Sequence, residues 1–133
     1  MNATAYLPDN GELPPPSDYY KDQGIILPET GDESKKDFGK TRFSLVPREA
    51  YRALAELYTL GAAKYSPRGW ESGMDWSRIM DALERHYNAW VEGQTHDPID
   101  GQHHLIAVAW CAFALFSYEL WGIGTDDRPR RTA

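Results

Sequence analysis

A chain of 133 residues with 41% hydrophobic and 13% aromatic content can bury a core without disulfide or metal staples. Its net charge of -6 argues against non-specific binding to nucleic acid or to an anionic membrane. A polyanionic small ligand stays open, because a bound cation inverts the local charge.

Residues 1–34 hold Pro8, Pro14, Pro15, Pro16 and Pro28, and seven acids against one base, Lys21. Few apolar residues repeat there with any period, which predicts an extended proline-rich acidic arm. Residues 35–124 read as a helical domain, and residues 125–133 as a charged, loose tail. The start, MNATAYLPDNG, lacks the basic and apolar regions of a secretory signal. The single cysteine, Cys111, lies in an apolar helical pattern and suits a reducing, cytoplasmic setting. The longest apolar run, Leu105 to Phe116, has twelve residues, fewer than the ~20 that a bilayer span needs.

Three helices are predicted in chain order. The first runs over Pro47–Lys64, with a stripe of Ala50, Leu54, Leu57, Tyr58 and Gly61. The second runs over Trp76–Glu92, with Asp75 as its cap and Trp76, Ile79, Met80, Leu83, Tyr87, Trp90 and Val91 on one face. Gly93 ends it. The third runs over Pro98–Trp121 and is apolar nearly all round, so it must be enclosed on every side. Two partner helices cannot do that, which predicts a homo-oligomer. Ala107, Cys111 and Ala114 form a stripe of small residues that lets another helix come close.

The stretch HDPIDGQHHL, residues 96–105, sets Asp97, Asp100 and His104 at i, i+3 and i+7. Two readings compete. In one, Pro98 opens the third helix, Asp97 caps it and Asp100 complements its dipole. In the other, an inward imidazole beside inward carboxylates holds a divalent cation or performs acid–base work. Treating the helices as antiparallel neighbours sets Glu56 opposite Glu84 and His86 opposite His104, all at one height. On the second helix Glu84 is nearer the apolar stripe than Asp81, and is the better inward candidate. Glu56 also suits an i, i+4 pair with Arg52, and Asp81 a pair with Arg85. Inward carboxylates of this kind hold metals in helical bundles, and hard oxygen ligands favour magnesium or manganese over zinc. The candidate metal ligands on this geometry are therefore Glu56, Glu84, Asp97, Asp100 and His104.

Cations and aromatics complete the candidate site. Lys40 and Arg42 precede the first helix, and Lys64, Arg68 and Arg85 add further charge suited to phosphate. Tyr65 and Trp70, in the loop KYSPRGWESGMD, are candidates to stack a base. No phosphate-binding lysine loop, dinucleotide glycine fingerprint, helical HExxH or nucleophile-elbow serine is present.

The blocks KKDFGKTRFSLVPREA, LGAAKYSPRGWESGMDWSR, ALERHYNAW and DPIDGQHHLIAVAW, in that order, resemble the phage dATP/dGTP diphosphohydrolases. These belong to the MazG-like all-α nucleotide pyrophosphohydrolases. The resemblance covers about two thirds of the chain, Lys35 to Trp121, and implies a MazG-like helical bundle assembled as a dimer or tetramer. It implies Mg2+- or Mn2+-dependent hydrolysis of a purine deoxynucleoside triphosphate to the monophosphate. In the MazZ-type members it further implies dGTP as substrate, and dGMP supplied to 2-aminoadenine phage DNA in the host cytoplasm. Lys40, Arg42, Lys64, Tyr65, Trp70, Arg85, His86, Asp97, Gly101 and His104 stand at the matching block positions. Where the family carries ExxE and then ExxD, the nearest echo here is Asp81-x-x-Glu84 and Asp97-x-x-Asp100, so the resemblance adds Asp81 to the candidate metal ligands. The hairpin geometry sets those pairs several residues apart in height.

The expected machinery is thus Glu84, His104 and Arg85 in catalysis, the carboxylates and His104 on metal, and the cations on phosphate. Two alternatives share the same helices. One is a non-catalytic nucleotide-binding or replication-docking oligomer, and the other a triphosphohydrolase that releases nucleoside.

Overall fold

A computed structural model describes residues 41–130 together with Gly24. The expected arm over residues 1–34, Gly24 apart, and Lys40 lie outside the described residues, as do residues 131–133. The chain divides into a unit of residues 1–45 and a unit of residues 46–133. In the first, a 3-10 turn spans Phe43–Leu45, closed by Leu45 N–H donating to the Arg42 carbonyl.

The second unit is all-α among its described residues, with α1 at Arg48–Lys64, α2 at Trp76–Val91 and α3 at His104–Trp121. Pro47 stands immediately before α1, with the fixed φ of a helix entry. Of the predicted stripe, Leu54 is buried and Leu57, Tyr58 and Gly61 are half-buried, while Ala50 is exposed. A short 3-10 turn, Gly69–Ser72, lies in the loop to α2.

The core lies between α2 and α3. Trp76 and Ile79 of α2 meet Cys111, Ala114 and Tyr118 of α3, all nearly shielded from solvent. The small residues at 107, 111 and 114 do let a helix approach closely, and that helix is α2 of the same chain. Burial pushes the Cys111 thiol up to about 11, so it is packing rather than chemistry. Above this contact Trp70 sits among Tyr58, Trp110, Tyr118 and Trp121, with ring centroids 5.9 to 6.0 Å away. The Tyr118 hydroxyl donates to the Trp70 carbonyl, satisfying the polar tip of a fully buried ring.

Two expectations are corrected here. The third helix begins at His104, not at Pro98, and its N-cap is His103, whose Nδ1 accepts the Leu105 N–H at 3.0 Å. Asp97 and Asp100 are therefore loop residues, not a cap and a first-turn acid. Within the expected tail, Thr125 and Asp127 bond back to the start of α2. Trp76 N–H donates to the Thr125 carbonyl at 3.0 Å, and the Trp76 indole to the Ile123 carbonyl at 2.9 Å. Asp75 stands at the N-cap of α2 as expected, but its side chain makes no capping bond. Asp127 does this from the far end of the sequence, accepting the Ser77 N–H at 2.8 Å and the Ser77 hydroxyl. Those bonds hold the Asp127 carboxyl below its ordinary range. Gly124, at φ 77°, brings its backbone against the Met74 carbonyl, where a β-carbon has no room.

α3, with a mean hydropathy of 1.4 over 18 residues, is long and apolar enough to cross a bilayer on length and composition alone. It exceeds the twelve-residue run seen in the sequence because Trp, Tyr and Ser positions extend it. In this fold it is the central helix, packed by both α1 and α2.

Ala114 has no exposed surface at the α2–α3 contact. Ala114→Leu should overpack it and cost about 1–3 kcal/mol, read as a lower thermal midpoint with helix content retained below the transition.

Candidate functional site

The site forms where α2 ends and α3 begins. Gly93, at φ 102°, terminates α2 and turns the chain back. The loop that follows closes on itself: Asp97 N–H donates to the Gln102 carbonyl at 2.8 Å, Gly101 N–H to the Asp97 carbonyl at 2.8 Å, and His104 N–H to the Thr95 carbonyl at 3.0 Å. Asp97 and Asp100 each accept a backbone N–H two residues on, from Ile99 at 2.8 Å and Gln102 at 3.0 Å. These are Asx turns, the local bonding that keeps Asp out of helix interiors. Pro98 and Gly101 make the loop compact.

The return of the chain sets His86 of α2 against His104 of α3. Their Nδ1 atoms are 2.8 Å apart, and the His104 Nε2 is 2.7 Å from the Gln94 side-chain oxygen. With the Gln94 oxygen as acceptor, the matching arrangement has the His104 proton on Nε2 and its Nδ1 accepting from His86 Nδ1–H. His104 is buried at 3% exposure, while His86 and Asp97 are half-buried. One ligand atom from each of His86, Asp97 and His104 falls within 4.8 Å of the other two.

This donor set fits a divalent ion. The 2.8 Å contact between the imidazoles is a hydrogen bond, whose proton a bound ion would replace. Asp97 adds a carboxylate that is already fixed by its turn.

The other expected site residues are not gathered here. Glu84, Arg85 and Asp81 of α2 and Glu56 of α1 are exposed, and neither Glu56–Arg52 nor Asp81–Arg85 is an ion pair. Glu84 is not turned inward as the helix register predicted. Asp100 is exposed in its own Asx turn. Lys64 and Tyr65 end α1 in solvent, and Arg68, at a left-handed φ of 61°, is paired with Glu71 at 2.8 Å. Arg42 is exposed in the first unit. Trp70 is committed to the aromatic cluster. Two residues were not counted as site members from the sequence: His86, which the hairpin geometry had set opposite His104, and Gln94. The signal for Gln94 was its place directly after the glycine that turns the chain.

Burial holds the His86 imidazole below its ordinary value of 6.5, the neighbouring His104 adds to this, and Asp97 and Asp100 oppose it. The unfolded chain therefore takes up a proton near 6.5 that the folded chain refuses until lower pH. Stability is full above that range and falls as pH drops through 6.5 towards the lowered value. Thermal midpoints compared at about pH 7.5 and about pH 5.5 should fall, and His86→Gln should lessen the fall.

Comparison with known proteins agrees with the sequence blocks. A family model described as dATP/dGTP diphosphohydrolase, N-terminal, matches residues 30–128. A dATP/dGTP diphosphohydrolase of Salmonella phage PMBT28 is 31% identical over 70 residues, which are 53% of this chain and 24% of the relative. The match thus spans about a quarter of that curated relative. No solved structure matches the chain. The helix–loop–helix that carries His86, Asp97 and His104 lies wholly inside the matched region, and the chain belongs to the dATP/dGTP diphosphohydrolase N-terminal family.

Proposed function

We propose that this chain hydrolyses a purine deoxynucleoside triphosphate, dGTP or dATP, to the monophosphate and pyrophosphate with a divalent ion. The observation that carries the reading is the gathering of one ligand atom each from His86, Asp97 and His104 within 4.8 Å of one another, in a chain of this family. Two imidazoles and one carboxylate favour manganese over magnesium, which prefers oxygen. When bound, such an ion supplies Lewis acidity at a phosphoryl oxygen and a more acidic water.

The chain's own groups prepare the site. With the Gln94 side-chain oxygen accepting from Nε2–H, His104 presents Nδ1 as its lone-pair atom, which accepts from His86 until an ion takes that place. The Asx turn holds the Asp97 carboxylate in place before any ligand arrives. Arg85, next to His86 and without an ion-pair partner among the described residues, offers a fixed positive charge to the phosphates. Phosphoryl transfer asks little more of a protein than positioning and charge.

A second copy of the chain completes the particle. Phe113, Phe116 and Trp121 are 55%, 53% and 48% exposed on α3, an apolar face that α1 and α2 leave open. A dimer or tetramer covers it. dGTP as the preferred substrate, feeding dGMP to 2-aminoadenine DNA in a phage-infected cytoplasm, is the finer form of the reading. The phage origin of the curated relative supports it.

Purified protein with manganese and dGTP or dATP should release the monophosphate and pyrophosphate, resolved by ion-exchange chromatography. Asp97→Asn retains an acceptor for the turn yet removes the charge. It should cut turnover by about 100-fold and weaken manganese binding seen by electron paramagnetic resonance. Release of nucleoside and triphosphate would indicate the other hydrolase class, and nucleotide binding without turnover would leave a binding module.

A further inference from the structure

A cleft of about 310 Å³ runs along the α2–α3 groove, beside the histidine pair and separate from it. Met74, Ile79 and Trp110 supply apolar and aromatic walls, and Arg78, Asp81 and Arg85 supply its polar rim. None of these walls belongs to the His86–Asp97–His104 cluster. The volume lies in the range of small-molecule sites, about 300–1,000 Å³.

The two arginines are available to a ligand. Neither is ion-paired among the described residues, and Asp81, on the same rim, pairs with neither. In a chain of net charge -6, two unpaired guanidinium groups beside an indole face are matched to an anion that carries a flat ring. The helix register orders them. Arg85 is at the end next to His86. Arg78 is two turns away, about 10 Å along α2, beside Ile79 and towards Met74. A nucleotide laid along the groove with its phosphates at Arg85 brings its ring to the Trp110 and Ile79 walls, under Arg78.

At that end an arginine discriminates between purines. Its paired N–H groups match the two acceptors O6 and N7 of guanine, whereas adenine presents an amino donor where guanine has O6. We propose that this cleft seats the purine ring of a guanine nucleotide, with Arg85 facing its phosphates and Arg78 reading the O6/N7 edge. The inference rests on the nucleotide reading above and adds the residue that sets its base preference. Arg78 is a specificity residue rather than a catalytic one.

Isothermal titration of the full chain with dGMP and with dAMP, both in EDTA, tests this without turnover. The intact protein should bind dGMP more tightly than dAMP. Arg78→Ala should weaken dGMP by about tenfold, since a lost bidentate base contact costs about 1–3 kcal/mol, and change dAMP by far less. Arg78 is exposed, and circular dichroism of the variant checks that it folds. Trp110→Phe keeps a ring in the wall and should weaken both ligands together. Equal losses of dGMP and dAMP in Arg78→Ala, or no loss of either, overturn the assignment. A second copy of the chain covering the cleft overturns it too, and shows as an absence of dGMP binding that returns on dilution. The hydrolysis assay is independent. Turnover of dGTP with an unchanged dGMP/dAMP ratio in Arg78→Ala sinks the cleft and leaves the function, while guanine-selective binding without turnover does the reverse.

Discussion

The close approach of α2 to α3 is the constraint from which the rest follows. It depends on Ala107, Cys111 and Ala114, whose short side chains leave Trp76 and Ile79 room to reach the α3 surface. Close packing fixes the register of two antiparallel helices as well as their distance. With Ile79 level with Cys111, the next two turns set His86 level with His104. The histidine pair is thus a consequence of apolar packing two turns away, and no polar interaction is needed to assemble it.

Rigid and adaptable parts divide the work. The helices supply the two imidazoles, whose spacing is set by the core. The loop supplies Asp97 and Gln94, whose positions are set by local hydrogen bonds rather than by burial. A mobile carboxylate would lose much of its value as a ligand through the entropy of ordering it, and the Asx turn removes that cost in advance. The far end of α2 is secured differently. Its first turn is capped by Asp127, and Trp76 is held by the Ile123 carbonyl and overlaid by the Arg128 guanidinium at 5.1 Å. One end of the α2–α3 pair is therefore tied by the loop that joins the helices and the other by residues about fifty positions away.

Electrostatics in this chain is local. The net charge is -6, yet the carboxylates that dominate it are spread over exposed positions such as Glu56, Asp81 and Glu84. Surface pairs such as Arg68–Glu71 add little to stability. The groups that matter are a half-buried His86 whose imidazole burial holds below its ordinary range, an aspartate fixed beside it, and two exposed arginines without ion-pair partners among the described residues.

The sequence by itself determined the helices, their order and much of their inward faces, because an apolar period of 3.6 residues registers burial directly. It also determined the pairing of His86 with His104, which follows from counting residues on either side of one turn. It misjudged the DPIDG segment because proline after aspartate suits a helix start and an Asx turn alike, and only the backbone closure around Gly101 separates them. The inward turn of Glu84 failed for a related reason. A residue at the edge of an apolar stripe is buried or exposed according to which neighbour covers that edge, and here none does among the described residues. Only the tertiary structure decided that Gln94 orients His104, that Asp127 caps a helix fifty residues earlier, and that Trp70 belongs to the core. The last two are contacts between segments about fifty residues apart, and the first crosses one loop; all are made by side chains whose local sequence carries no period to announce them.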